Sequence, residues 1–259
     1  DHPMDAVTNG IHIPTWDKIQ SRDTIWEEHR ENKRKLLSKI KEVSGVTFGE
    51  HELLLGWARR MVAYKRPLAL FERLSRFRQI AQQTDRPVRV VIAGQAPPGD
   101  ANGTELLQKL ESMFSNELKG QAVYLPNYNL ALAELLVSGC DVWLNTPVVG
   151  FEACGTSGMK AGLNGVLPAT TRDGWISEVE LFGIGWILDS DRIHDHILDV
   201  LENDIIPMYY ARDESGVPRQ WVSHMQNARE LIQNEFNATK MLRNYIEKMY
   251  VPAIASLHI

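Results

Sequence analysis

The sequence predicts an α/β fold, a Rossmann-like parallel sheet flanked by helices, and three observations predict it. From about residue 51 onward, short apolar runs alternate with segments of helical period, the pattern of parallel strands joined by crossover helices. The chain has 259 residues, 44% of them apolar, enough to bury a substantial core and to exclude disorder as the overall state. It carries no internal repeat, no low-complexity tract and no Gly/Ser linker, so residues 1–259 are expected to form a single domain.

Leu53-Leu54-Leu55-Gly56-Trp57-Ala58 reads as a buried strand. The next helix is expected to open at Pro67, where a missing N–H does no harm, with Leu70, Leu74, Phe77 and Ala81 on one face. Val88 to Ala93 is the second strand, and Asp100 and Asn102 then offer caps for a helix carrying Leu106, Leu110, Met113 and Phe114. Gln121 to Leu125 reads as a strand, Asn129 to about Val137 as a short helix, and Val142 to Asn145 as the fourth strand. A glycine-punctuated turn and helix fill 150–163, Val166 to Thr170 is a further strand, and Ile193, Ile197, Val200 and Leu201 mark a helix near 191–204. About five strands result, in a core spanning 51–205. Residues 1–50 form a linker and an N-terminal helix, charged over 22–43 with Trp26, Leu36, Leu37, Ile40 and Val43. Residues 206–259 form C-terminal helices, two of them within 219–251 and broken around Asn237. Both flanks are expected to pack across the core.

Charge and composition narrow the function. With 28 Lys and Arg against 33 Asp and Glu, the formal charge of −5 offers no global attraction to nucleic acid or to a membrane surface, so any anion site must be local. No run approaches the roughly 18 consecutive apolar residues of a membrane-spanning helix, and Asp1-His2-Pro3-Met4-Asp5 lacks the basic start and apolar stretch of an export signal. The two cysteines, Cys140 and Cys154, show neither metal-type pairing nor redox spacing, which suits a soluble protein of the reducing cytoplasm. The chain begins without an initiator Met and enters a motif at once, the look of a piece of something longer.

In an open parallel sheet, ligands bind beyond the carboxyl ends of the strands, so the loops after strands hold the chemistry. Two stand out. Arg59-Arg60-Met61-Val62-Ala63-Tyr64-Lys65-Arg66 packs four cations and a tyrosine into eight residues after a buried strand; taken alone, it reads equally as a solvated turn. Glu152-Ala153-Cys154-Gly155-Thr156-Ser157-Gly158-Met159-Lys160 enters a helix through small residues, whose backbone N–H groups can approach an anion where the helix end adds partial positive charge. It matches neither the Walker A spacing nor the dinucleotide fingerprint, so its force depends on convergence with the basic loop. His194-Asp195-His196 has a spacing that points to different helix faces, reads as helix surface, and leaves no metal site expected.

These two loops, together with Thr8-Asn9-Gly10-Ile11-His12-Ile13-Pro14-Thr15-Trp16, resemble the α-glucan phosphorylases (glycogen, starch and maltodextrin phosphorylases). Leu163-Asn164-Gly165, Asp173-Gly174-Trp175, Ile206-Pro207-Met208-Tyr209-Tyr210 and Pro218-Arg219-Gln220-Trp221-Val222 resemble the shorter bacterial and archaeal forms. The resemblance implies the C-terminal half of a B-type glycosyltransferase architecture, with an N-terminal domain missing. It also implies phosphorolysis of an α-1,4-glucan by inorganic phosphate to glucose 1-phosphate, with pyridoxal 5'-phosphate as cofactor. By the same resemblance Lys160 falls where the family's coenzyme is covalently joined. Arg59, Lys65, Thr156 and Ser157 fall around the coenzyme phosphate, and Tyr128 beside the coenzyme ring. Arg60 matches the arginine that holds the substrate phosphate, while Asn9, Tyr64, Glu152 and the backbone at Gly155 match positions around the reacting glucosyl unit. Lys160, Arg60, Lys65 and Glu152 are thereby the expected catalytic group. Tyr128 reads nearly as well as a tyrosine packed in a crevice wall.

The resemblance also makes physical sense of the basic loop. Two charges about 4 Å apart repel by about 4 kcal/mol at an effective dielectric near 20, so two phosphates can meet only inside a cationic cluster. Nucleotide-sugar transferases of the same architecture resemble one another in two glutamates eight positions apart; here Lys160 stands eight positions after Glu152, which favours a coenzyme phosphate over a sugar nucleotide. Two departures stand against a full match: Cys154 replaces a usual Ser, and Val148-Val149-Gly150-Phe151 replaces a more basic, Pro-containing stretch. Cys154 has no His nearby in sequence and is expected to pack as a small apolar residue. Because the family's site lies between two domains, the chain alone is expected to be inactive. A nucleotide-sugar-dependent glycosyltransferase domain of the glycogen synthase kind and a noncatalytic glucan-binding module remain alternatives. Trp57 and Trp143, in apolar strand runs, are expected to be core rather than a glucan platform, and a homo-oligomer stays open.

Overall fold

The computed structural model describes residues 5–256. A one-turn helix α1 (Ile13–Trp16) leads into the long charged helix α2 (Ile25–Ser44), ended by Gly45 in the left-handed conformation at φ 72°. The core follows as β1 (Leu53–Ala58), α3 (Leu74–Ala81), β2 (Val88–Ala93), α4 (Ala101–Ser115), β3 (Ala122–Leu125) and α5 (Leu130–Gly139). It continues as β4 (Val142–Asn145), α6 (Thr156–Leu163), β5 (Leu167–Thr171), β6 (Trp186–Leu188) and α7 (Ile193–Val200). Helices α8 (Ile206–Tyr210), α9 (Arg219–Glu235), α10 (Ala238–Tyr245) and α11 (Val251–Ser256) close the described chain.

All strand pairs are parallel, in the order β3-β2-β1-β4-β5-β6. The fold is thus the expected α/β class. The chain works outward from β1 to β3, then returns to lay β4 against the other side of β1, with Leu55 opposite Val142 and Gly56 opposite Trp143. Gly56 is required there, because a Cβ would sit 2.4 Å from the Cys140 sulfur. Strand side chains alternate between two cores. Leu53, Leu55, Trp57, Val90 and Leu144 pack with residues of α3, α4, α7 and α9, whereas Leu54, Val91, Val123 and Trp143 pack with those of α2, α5 and α6. Trp57 and Trp143 are core, as expected.

Three details differ from the sequence reading. The helix expected at Pro67 begins only at Leu74, after a single 3-10 turn over Ala69–Phe71. Upstream, Arg66 adopts a left-handed φ of 48° and donates to the carbonyls of Thr146, Pro147 and Ser190, which delays the helix by two turns. A sixth strand exists: β6 has three residues after a glycine-containing turn, too few to show a period, and gains its place by pairing Ile187 with Thr170. The helix near 191–204 continues through a π-turn over Leu201–Ile205 into α8, where Pro207 lies in the first turn and its missing N–H is tolerated. The break at Asn237 is real, and the Asn237 side chain accepts from the Lys240 N–H at 2.8 Å as the cap of α10.

At the opposite end of the sheet from the carboxyl-end loops, one ionic network locks α2 to β1, β4 and α8. The Asp141 carboxylate, fully buried, accepts from Lys33 Nζ at 2.6 Å, the Leu54 N–H at 2.7 Å and His29 Nε2 at 3.1 Å. Lys33 also donates to the Glu52 carbonyl and lies 2.9 Å from the Tyr209 hydroxyl. No helix among the described residues is long and apolar enough to cross a membrane.

Candidate active site

The strand order creates the site. Because β1 and β4 are neighbours at the point where the chain reverses its direction of travel across the sheet, the loops leaving their carboxyl ends face one crevice. The basic loop after β1 and the small-residue turn after β4 meet there around a cavity of about 420 Å³. Asn9, Arg59, Arg60, Lys65, Tyr128, Glu152 and residues 153–157 line it. Gly94, at the end of β2, lets the Arg59 backbone into place: a Cβ there would lie 1.9 Å from the Arg59 carbonyl oxygen.

Glu152 is the hub of the charges. Its Oε2 lies 2.9 Å from Arg59 Nη1 and 2.6 Å from Lys65 Nζ, and both cations are buried, at 7% and 5% exposure. They are therefore not a solvated turn. Burial pulls the Arg59 guanidinium below its ordinary value against the opposing charge of Glu152. Arg60 is exposed on the same cavity. Three cations against one carboxylate leave a surplus of two positive charges, the complement of one dianion. Arg66, the fourth cation of the run, points elsewhere and clamps the carbonyls already described.

The turn is shaped by Gly155, left-handed at φ 79°, and by Asp173, whose Oδ2 accepts the N–H groups of Phe151 and Glu152 at 3.2 and 2.9 Å. Gly174 lies so close beneath the turn that a Cβ would meet the Cys154 carbonyl oxygen at 2.4 Å. Thr156 and Ser157 open α6 and line the cavity with the start of the helix, whose first N–H groups have no carbonyl four residues earlier in the helix to donate to. Burial pushes the Cys154 thiol up, although Asn9 donates to it, so it is not a poised nucleophile. Burial likewise raises the Tyr128 phenol, in spite of the charge of Arg59. Replacing Gly155 with alanine is expected to cost about 1–2 kcal/mol for the left-handed backbone. The new Cβ would also stand 3.1 Å from Arg59 Nη2, so a urea titration should show lost stability together with weakened anion binding.

Not every expected residue reaches the cavity. Tyr64 lies outside its lining; its ring stacks on Phe151 and is 4.8 Å from the Lys65 amine. Lys160 is one turn beyond Thr156 on the same helix face, and its half-buried amine rests 3.9 Å from the centre of the Trp16 ring. Burial lowers that amine below its usual 10.5.

Sequence reasoning missed the residues that set this arrangement. Trp16 is the surface on which Lys160 rests. Asn164 donates to the carbonyls of both Trp16 and Lys160 at 2.9 Å and accepts from the Lys18 N–H. Arg229 of α9 grips Asp17 with two hydrogen bonds of 2.6 and 2.8 Å and also donates to the Leu163 and Ile19 carbonyls. Ile11 bridges the break between α9 and α10, bonding to Phe236 and Ala238, and so brings Asn9 to the turn. These residues stand in readable stretches of sequence, but the pairings of Asn164 with Trp16, Arg229 with Asp17 and Ile11 with Phe236 each join positions more than a hundred residues apart.

The profile of the carbohydrate phosphorylase family matches residues 14–183. The chain is 34% identical to glycogen phosphorylase of Aquifex aeolicus, over 96% of its own length and 44% of that protein. It is 31% identical to glycogen phosphorylase of Mycobacterium tuberculosis and 31% identical to maltodextrin phosphorylase of Thermococcus litoralis, in each case over 98% of the chain and 36% of the relative. It therefore spans less than half the length of these relatives. With a family profile across most of its sheet and both of its converging loops, the chain belongs to the carbohydrate phosphorylase family.

Proposed function

We propose that the chain is the coenzyme- and phosphate-binding half of an α-glucan phosphorylase, with residues 1–259 acting as one domain and an N-terminal domain supplying the rest of the site. The observation that supports it is the convergence of Arg59, Arg60 and Lys65 with the Gly155–Ser157 turn on one cavity carrying surplus positive charge. The residues fit pyridoxal 5'-phosphate. Arg59 and Lys65 are buried cations beside N–H groups of a helix start. Lys160 is a half-buried amine with a lowered proton affinity one turn away, and Tyr128 lines the cavity with its ring.

When bound, the coenzyme supplies a phosphate group that exchanges a proton with the substrate phosphate. Around it, Arg59 and Lys65 offset the coenzyme's charge, with Thr156 and Ser157 donating from the helix start. Arg60, exposed and free of the Glu152 ion pair, takes inorganic phosphate. Glu152, Asn9 and the Gly155 backbone orient the hydroxyls of the terminal glucosyl unit, where directed partners discriminate between sugars. The cluster of Arg59, Arg60 and Lys65 would hold the coenzyme phosphate and the substrate phosphate and would offset their negative charge. Two free cysteines support a place in the cytoplasm.

A thermal-shift comparison tests the reading. At a hundredfold excess over its dissociation constant, a ligand of the folded state stabilises by about 2.7 kcal/mol. Pyridoxal 5'-phosphate is expected to raise the melting temperature, and a sugar nucleotide is not; the reverse result assigns the chain to nucleotide-sugar transfer. Arg60→Ala is expected to weaken inorganic phosphate binding by about 1.5–3 kcal/mol, the worth of one charged hydrogen bond, in calorimetry at fixed ionic strength. An unchanged affinity would remove Arg60 from that role.

A further inference from the structure

Phe151 and Val149 are 65% and 48% exposed, a concentration of apolar surface beside a site otherwise made of charges, and the reading above makes no use of either. The Phe151 ring stacks on Tyr64, with centroids 6.0 Å apart and planes inclined by 29°. The Tyr64 ring also lies 4.8 Å from the Lys65 amine, itself 2.6 Å from Glu152, so the aromatic pair stands one side chain from the polar cavity. The segment is held rather than loose. The Val148 N–H donates to the Tyr64 carbonyl at 2.8 Å, and the Phe151 N–H donates to Asp173 at 3.2 Å. A fixed, exposed aromatic face beside directed polar groups has the two-part chemistry of a pyranose site: the C–H face of the sugar stacks on the ring, and its hydroxyls take the hydrogen bonds. The stretch 148–151 carries no charge, which suits a neutral saccharide there rather than a second anion.

We infer that Phe151 and Tyr64 form an aromatic ledge at the mouth of the cavity, which stacks on the pyranose ring next to the reacting glucosyl unit and selects an oligosaccharide end over a lone hexose phosphate. This rests on the α-glucan reading proposed above. The test uses the chain labelled with 4-fluorophenylalanine, followed by fluorine NMR, with the Phe151 resonance assigned through Phe151→Leu. Maltoheptaose is expected to shift that resonance, whereas glucose 1-phosphate at the same concentration is not. Phe151→Ala is expected to weaken maltoheptaose about tenfold, equivalent to about 1.4 kcal/mol, with the affinity for inorganic phosphate unchanged. Maltoheptaose that leaves the resonance in place, or binds Phe151→Ala equally well, overturns the ledge. So does a Phe151 resonance that moves on dilution of the chain alone, the mark of a second copy covering it. If the ledge fails while Arg60-dependent phosphate binding persists, the phosphorylase reading stands; if phosphate binding is lost as well, both fall.

Discussion

Lys160→Ala is expected to abolish covalent attachment of pyridoxal 5'-phosphate, read as the disappearance of the pyridoxyl-lysine peptide after borohydride reduction and mass mapping. The effect should be all-or-none, because attachment needs an amine at that place and no other lysine combines partial burial on α6 with a position one turn behind the Gly155–Ser157 turn. The pH dependence follows from burial. An unprotonated amine is the form that attacks an aldehyde, and burial holds the Lys160 amine below the usual 10.5, so attachment should reach its half-maximal rate at a lower pH than for a free lysine. The fold should survive the change. Lys160→Ala gives up one cation–π contact with Trp16, of about 0.5–2 kcal/mol, and also removes the cost of an ammonium group in a half-buried place. Attachment retained at another lysine would move the role away from α6.

The largest expected effect on stability lies far from the cavity. Asp141→Ala should destabilise the chain by about 3–5 kcal/mol, because it leaves the Lys33 ammonium buried without its counter-charge and orphans the Leu54 N–H. Burial alone would raise the Asp141 carboxyl, yet the Lys33 charge and the His29 hydrogen bond hold it below its ordinary 3.8. Burial alone would lower Lys33, yet Asp141 and Tyr209 hold it above its ordinary 10.5. The sign for each follows from linkage. Asp141 contributes stability that is present above pH 3.8 and lost as pH falls through its folded-state value. Lys33 contributes stability that is present below pH 10.5 and lost as pH rises through its own. The pair should therefore give constant support across the neutral range, visible as a flat urea midpoint that Asp141→Ala lowers throughout. Replacing both partners, Lys33→Met with Asp141→Leu, should recover much of the loss, since no buried charge is then left alone. A double variant as unstable as the single one would show that the packing of α2, rather than the charge pair, carries the energy.

Much of the fold was legible because strands and helices write local periods. Each of β1 to β5 follows an apolar run, and caps such as Asp100, Asn129 and Asn237 mark helix starts with side chains that accept from the N–H three residues onward. The short edge strand β6 was not, because three residues carry no period and its pairing with β5 supplies what the local sequence lacks. In the site, the cations and the glycine turn could be read, but not which cation turns inward. Arg59 and Lys65 face Glu152 while Arg66, the immediate neighbour of Lys65, turns to three carbonyls. A residue's side of a loop depends on a left-handed φ at Arg66 that its side chain does not announce.

By itself, then, the sequence determined which residues follow which strand, since an apolar run and the loop after it are adjacent along the chain. It could not determine that the loops of β1 and β4, with Lys65 and Glu152 separated by 87 positions, share a wall. That depends on β4 returning to the free edge of β1, with Gly56 thin enough to admit Cys140 and a register of Leu55 on Val142, and strand pairing is an interaction between distant segments. The same holds for the Lys160 amine against Trp16: both residues sit in readable motifs, but only Asn164 and Arg229, drawing three distant segments together, decide that the ring meets the amine.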